Sequence, residues 1–114
     1  MDRWTNLAGR VLIALLFVAG TVQKWLDPDA VRGLLAGRGL PEWLVWPALA
    51  FDAAVAVGLI FGPRVRLWAL AAAAYCMATS VFHFIPGDGW QMSIFVKNWA
   101  IAGGLLVLAA SRRA

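Results

Sequence analysis

Hydrophobic positions in this chain gather into four long runs, Leu7 to Trp25, Leu44 to Phe61, Leu67 to Ile85 and Ser93 to Ala110, with charged residues mostly pushed to their ends. A helix crossing a bilayer needs about 20 predominantly apolar residues, so transmembrane helices are predicted over 7–25, 44–61, 67–85 and 93–110. The connections carry the breakers. DPDAVRGLLAGRGLPEW is the one long link, in which Asp27-Pro28 opens a short amphipathic helix and Gly37 and Gly39 end it. Gly62-Pro63 in FGPRVR and the Pro and two Gly of IPGDGW make tight turns. The predicted fold is all-α: one domain, residues 1–114, forming a four-helix transmembrane up-and-down bundle with a short amphipathic interfacial segment between helices 1 and 2. An alternative for the first run is a secretory signal, since an apolar core from Val11 to Gly20 follows Arg3 and Arg10. Against it, the apolar character continues to Trp25, and cleavage would strip one helix from the bundle.

Composition fixes the solvent. Of 114 residues, 62% are hydrophobic, against roughly 45–50% in a soluble globule. The net charge of +4 is a topology signal. Arg3, Arg10, Arg64, Arg66, Arg112 and Arg113 collect on one side of the predicted bundle. Lys24, Arg32 and Arg38 lie on the other, diluted by Asp27, Asp29, Glu42 and Asp88. The bias favours both termini in the cytoplasm. The basic excess then meets anionic headgroups, and nucleic acid is not an expected partner. Trp4 and Trp68 fall near one set of ends and Trp25, Trp43, Trp46 and Trp90 near the other, where an amphipathic ring is best accommodated; Trp99 is placed deeper.

Against this background the polar residues inside the runs stand out. Gln23 and Lys24 close the first helix, His83 is near the end of the third, and Gln91, Lys97 and Asn98 lie in the opening turns of the fourth. Asp52 is roughly 12 Å down the second span from the same, outer side. Gln91 and Asn98 share one stripe of the fourth helix, and Lys97 shares another with Gly104. A charge in the membrane interior costs about 2.5–3.5 kcal/mol on insertion scales, so Asp52 and Lys97 are expected to face inward and pair. The bland alternative is interhelical glue, polar groups that only hold the helices together. Other chemistries lack their residues. Cys76 is the single cysteine, which excludes an intramolecular dithiol couple and reads as a small core residue. One histidine cannot give bis-histidine haem ligation, and no Cys-His cluster suggests zinc or iron–sulfur, so no metal and no covalently bound cofactor is expected. Gly87 and Gly89 flank Asp88 in a turn, and Gly58, Gly103, Gly104 and Ala71 to Ala74 read as close-packing surfaces.

In order along the chain, GRVLIALLFVAGTVQKWLDP, GLPEWLVWPALAFDAAVAVGLIFGPRVR, ATSVFHF and QMSIFVKNWAIAGGLLVLA resemble the DoxX family of small four-helix membrane proteins. The most specific pieces are Gln23-Lys24 before Asp-Pro, Phe82-His83-Phe84, and the Gln91, Lys97-Asn98, Gly103-Gly104 series. The chain departs from the family at Asp52, where glutamate is common, and its carboxylate is shorter by a methylene in any contact with Lys24 or Lys97. The resemblance implies a link to membrane oxidoreductase systems and quinone, in some relatives through thiosulfate oxidation or thiol stress, although many have no assigned activity. Function has to be argued from the site.

The expectation is a quinone-linked accessory subunit. Its polar pocket, built from Gln23, Lys24, Asp52, His83, Gln91, Lys97 and Asn98, opens to the outer leaflet and receives a quinone head while the tail stays in lipid. His83 would exchange protons, an imidazole being the side chain suited to that near neutrality. Lys24 or Lys97 would hydrogen-bond a quinone carbonyl. The expected partners are the bilayer and a membrane or soluble redox protein carrying the redox centre; a homo-oligomer stays open. The alternative is a non-catalytic anchor or assembly subunit whose polar groups only stabilise the bundle. A solute or proton pathway is a weaker third reading.

Overall fold

The computed structural model describes residues 2–111, with side chains from Arg3 onward. Arg112 and Arg113, which entered the charge-bias argument, lie outside the described residues. Among the described residues, four helical segments are long and apolar enough to cross a membrane, Arg3–Leu26, Glu42–Phe61, Val65–His83 and Gly89–Ala110, and a short helix follows the first. The chain divides into two compact units, Met1–Gly62 and Pro63–Ala114.

In the first unit, α1 (Asp2–Leu26) starts five residues before its apolar run because nothing in Arg3-Trp4-Thr5-Asn6 breaks a helix. It packs along α3 (Val45–Phe61), burying Ala14 and Phe17 on one helix and Val45, Val55, Ala56 and Leu59 on the other. Between them α2 (Pro28–Gly37) matches its predicted bounds, with Pro28 in the first turn. Its end is a Schellman motif: Gly39 N–H donates to Ala36 O at 3.0 Å and Leu40 N–H to Leu35 O at 2.9 Å. Gly39 has φ +71°, a conformation that side-chain-bearing residues adopt at a cost. The Arg32 guanidinium lies 5.6 Å from the Trp46 ring centroid and 2.9 Å from Asp29 Oδ1, holding α2 to the start of α3.

In the second unit, α4 (Val65–Thr79) ends earlier than the predicted Ile85 and tightens into a 3₁₀ turn, Ser80–His83. Two causes are visible. The Thr79 hydroxyl donates to Tyr75 O at 2.8 Å and the Ser80 hydroxyl to Met77 O at 2.6 Å, competing with the helical ladder. Pro86 then disfavours helical geometry at Ile85. By contrast α5 (Gly89–Ala110) begins four residues before the predicted Ser93. Asp88 is more than a turn residue: its carboxylate accepts from Gln91 N–H at 3.1 Å and caps the helix. α4 packs on α5 through Ala69, Ala72, Ala73 and Cys76 against Ala102, Leu105 and Ala109. Gly58, on α3, is buried as expected. Gly103 and Gly104 are exposed, with open space where a Cβ would stand. They are not packing positions within this hairpin, because 100° per residue turns them away from the Ala102, Leu105 and Ala109 stripe.

Both units share one device. Arg10 Nη1 donates to Leu59 O at 3.3 Å in the first, and Arg66 Nη1 to Ala109 O at 3.0 Å in the second. Each guanidinium serves the last-turn carbonyls of the returning helix, which have no intrahelical donor and carry the negative end of its dipole.

Candidate functional site

Among the described residues, the first unit buries one charged pair and leaves a second, Arg32 with Asp29, nearer the surface. Lys24 is in the last turn of α1, where a cation complements the helix dipole. Its ammonium lies 2.6 Å from Asp52 Oδ2 on α3, and the two side chains are 15% and 3% exposed. So near-complete a burial makes the partner obligatory: the pair has no net charge, and each ion serves as the other's solvent. Within this unit the partner of Asp52 is Lys24; Lys97 belongs to α5 of the second unit. The missing methylene does not prevent contact. Gly20, one turn before Lys24, leaves a notch: a Cβ built there would stand 2.9 Å from Asp52 Oδ2, 3.4 Å from Asp52 Cγ and 3.6 Å from Lys24 Nζ. The absent side chain is the space in which the shorter carboxylate sits against α1.

The second unit places a neutral pair. His83 closes the 3₁₀ turn, Gln91 is in the first turn of α5, and His83 Nδ1 lies 2.7 Å from Gln91 Oε1. Both are half-buried. In the same unit, the Trp99 indole donates to Ser80 Oγ at 3.0 Å. Aromatic rings line the same stretch, with Phe84 and Phe95 centroids 5.1 Å apart and Phe95 and Trp99 6.2 Å apart.

Of the seven sequence candidates, four are thus brought into two pairs, Lys24 with Asp52 and His83 with Gln91. Gln23 and Lys97 are exposed and Asn98 is half-buried. Three features escaped the sequence. Gly20 reads as an ordinary small residue, although a glycine one turn from a membrane lysine was an available signal. Ser80 is buried and polar, but no pattern ties it to Trp99, 19 residues on. Arg10 and Arg66 were legible as charges, not as donors to helix ends.

Comparison with known proteins adds lineage. The DoxX family profile matches residues 5–84, so α5, with Gln91, Lys97 and Asn98, lies beyond the matched stretch. Over 104 residues the chain is 26% identical to inner membrane protein YqjF of Escherichia coli (strain K12), covering 90% of this chain and 80% of that protein. No solved structure matches.

Proposed function

The chain belongs to the DoxX family, and from that premise we propose that this multi-pass inner membrane protein is a quinone-linked accessory subunit whose contact for the quinone head is His83. The observation that carries this reading is the His83–Gln91 pair. One imidazole nitrogen is held by the glutamine at 2.7 Å, and Nε2 makes no hydrogen bond among the described residues. The half-buried ring stands at a helix end beside the aromatic series Phe84, Phe95 and Trp99. A hydrogen-bonding nitrogen next to aromatic faces fits a planar head with polar oxygens, and the surrounding apolar helix surface fits its tail. When bound, a quinone supplies two-electron, two-proton redox chemistry. The chain's residues supply binding, orientation and a proton-exchanging group, and a partner protein carries the redox centre. Lys24 spends one of its three N–H donors on Asp52.

His83→Ala is expected to abolish the binding of duroquinol to the purified protein, read by calorimetry in nanodiscs, while leaving the helical circular dichroism unchanged. Absence of binding by the wild type would remove the reading. It would favour the second one, a non-catalytic assembly subunit, for which the closed Lys24–Asp52 pair and the exposed Lys97 speak, since a cation on a membrane helix face calls for a partner.

The proposed orientation puts the His83 end outside and both termini in the cytoplasm. A cysteine replacing exposed Glu42, ahead of α3, is expected to react with an impermeant maleimide in intact cells. One replacing exposed Arg64 should react only after lysis; the native Cys76 is buried and silent. The reverse pattern would invert the topology.

A further inference from the structure

We propose that Gln91 fixes the tautomer of His83 and thereby makes the site selective for a hydroxyl donor, the quinol, over the oxidised quinone; this rests on the quinone-head reading above. The inference starts from atom types. Gln91 presents its carbonyl oxygen, an acceptor, at 2.7 Å from His83 Nδ1. A contact of that length between an acceptor and a ring nitrogen requires the proton to be on Nδ1. In the neutral ring Nε2 is then a bare lone pair, the reverse of the tautomer that dominates in free histidine.

Gln91 is well placed to hold this arrangement. Its backbone N–H donates to Asp88 Oδ1 at 3.1 Å, and the next residue, Met92, donates from its backbone N–H to Asp88 O at 2.9 Å. The first turn of α5 is therefore fixed by the cap, and the glutamine side chain reaches back from a rigid base to the 3₁₀ turn. Asp88 and Gln91 are positioning residues, and His83 is the group that touches the ligand.

The consequence is a filter on the ligand's oxidation state. Quinone oxygens only accept hydrogen bonds, so against the Nε2 lone pair they meet another acceptor. Quinol oxygens carry hydrogens and can donate one to it. One hydrogen bond gained in place of an acceptor–acceptor contact corresponds to a preference of about tenfold. Gln91 is thus the residue that decides which redox form is held, while having no contact with the ligand itself.

The chain holds one histidine, so a protein labelled with ¹⁵N only in histidine gives a single pair of ring nitrogens by NMR, with no assignment needed. The wild type is expected to show the proton on Nδ1. Gln91→Leu should move it to Nε2, and Gln91→Glu, which keeps an acceptor facing Nδ1, should restore the wild-type pattern. In parallel, duroquinol should bind the wild type about tenfold more tightly than duroquinone, and Gln91→Leu should erase or reverse that ratio. A wild-type proton on Nε2, as a reversed amide would give, or equal binding of the two forms, overturns the proposal and leaves the quinone-head reading standing. Failure of both forms to bind overturns that reading and the selectivity with it.

Discussion

Asp52→Ala is expected to destabilise the protein by about 3 kcal/mol or more, because it strands the Lys24 ammonium in a largely buried position. The loss is not the worth of the ion pair. Removing one partner leaves the other's desolvation uncompensated, whereas replacing both with apolar groups removes the penalty together with the attraction. The double variant Lys24→Met, Asp52→Leu should therefore recover most of the stability lost by Asp52→Ala alone. Lys24→Met alone, which takes the cation away from a carboxylate at 2% residue exposure, should also be destabilising. Reversible unfolding of the reconstituted protein in mixed micelles measures all three. A single-variant loss below about 0.5 kcal/mol would mean a solvated pair, since that is the range of exposed ion pairs.

The second large effect is predicted at Gly20, where helix propensity and packing pull in opposite directions. On propensity alone, Gly→Ala in the interior of α1 would stabilise by about 1 kcal/mol. Here the new Cβ would stand 2.9 Å from Asp52 Oδ2, so the carboxylate must leave the notch or α1 must move off α3. Gly20→Val adds two further methyl groups to that conflict and is expected to cost about 2 kcal/mol. The decisive comparison is the background. In Lys24→Met, Asp52→Ala the notch is vacant, and Gly20→Ala should there be stabilising by about 1 kcal/mol. That change of sign is the coupling a double-mutant cycle reads, and additive behaviour in the two backgrounds would show that Gly20 does not seat the carboxylate.

Much of the frame could be seen before any coordinates. The four spans, the short helix Pro28–Gly37 and its glycine-mediated end follow from run length and from residues whose backbone preferences are local. The errors fell at helix ends, where side chains intervene. Ser80 and Thr79 hydroxyls loosened the end of α4, and the Asp88 carboxylate advanced the start of α5. The set of polar candidates was also legible, since a polar residue in a membrane helix is conspicuous by cost. Their pairing was not. Phase within one helix ranks faces, but that Lys24 lies against Asp52 follows only from the approach of α1 to α3.

The length and greasiness of its helices, their turns and the short list of side chains in need of partners were written into the order of residues, because each depends on neighbours close in sequence and on the cost of charge in lipid. Folding in three dimensions alone chose among the partners. It joined Lys24 to Asp52 across 28 residues through the empty space at Gly20, and brought Gln91 back to His83 across a capped turn. Such choices depend on ångström-scale distances between helix axes and on which atom faces which, quantities that no one-dimensional pattern contains.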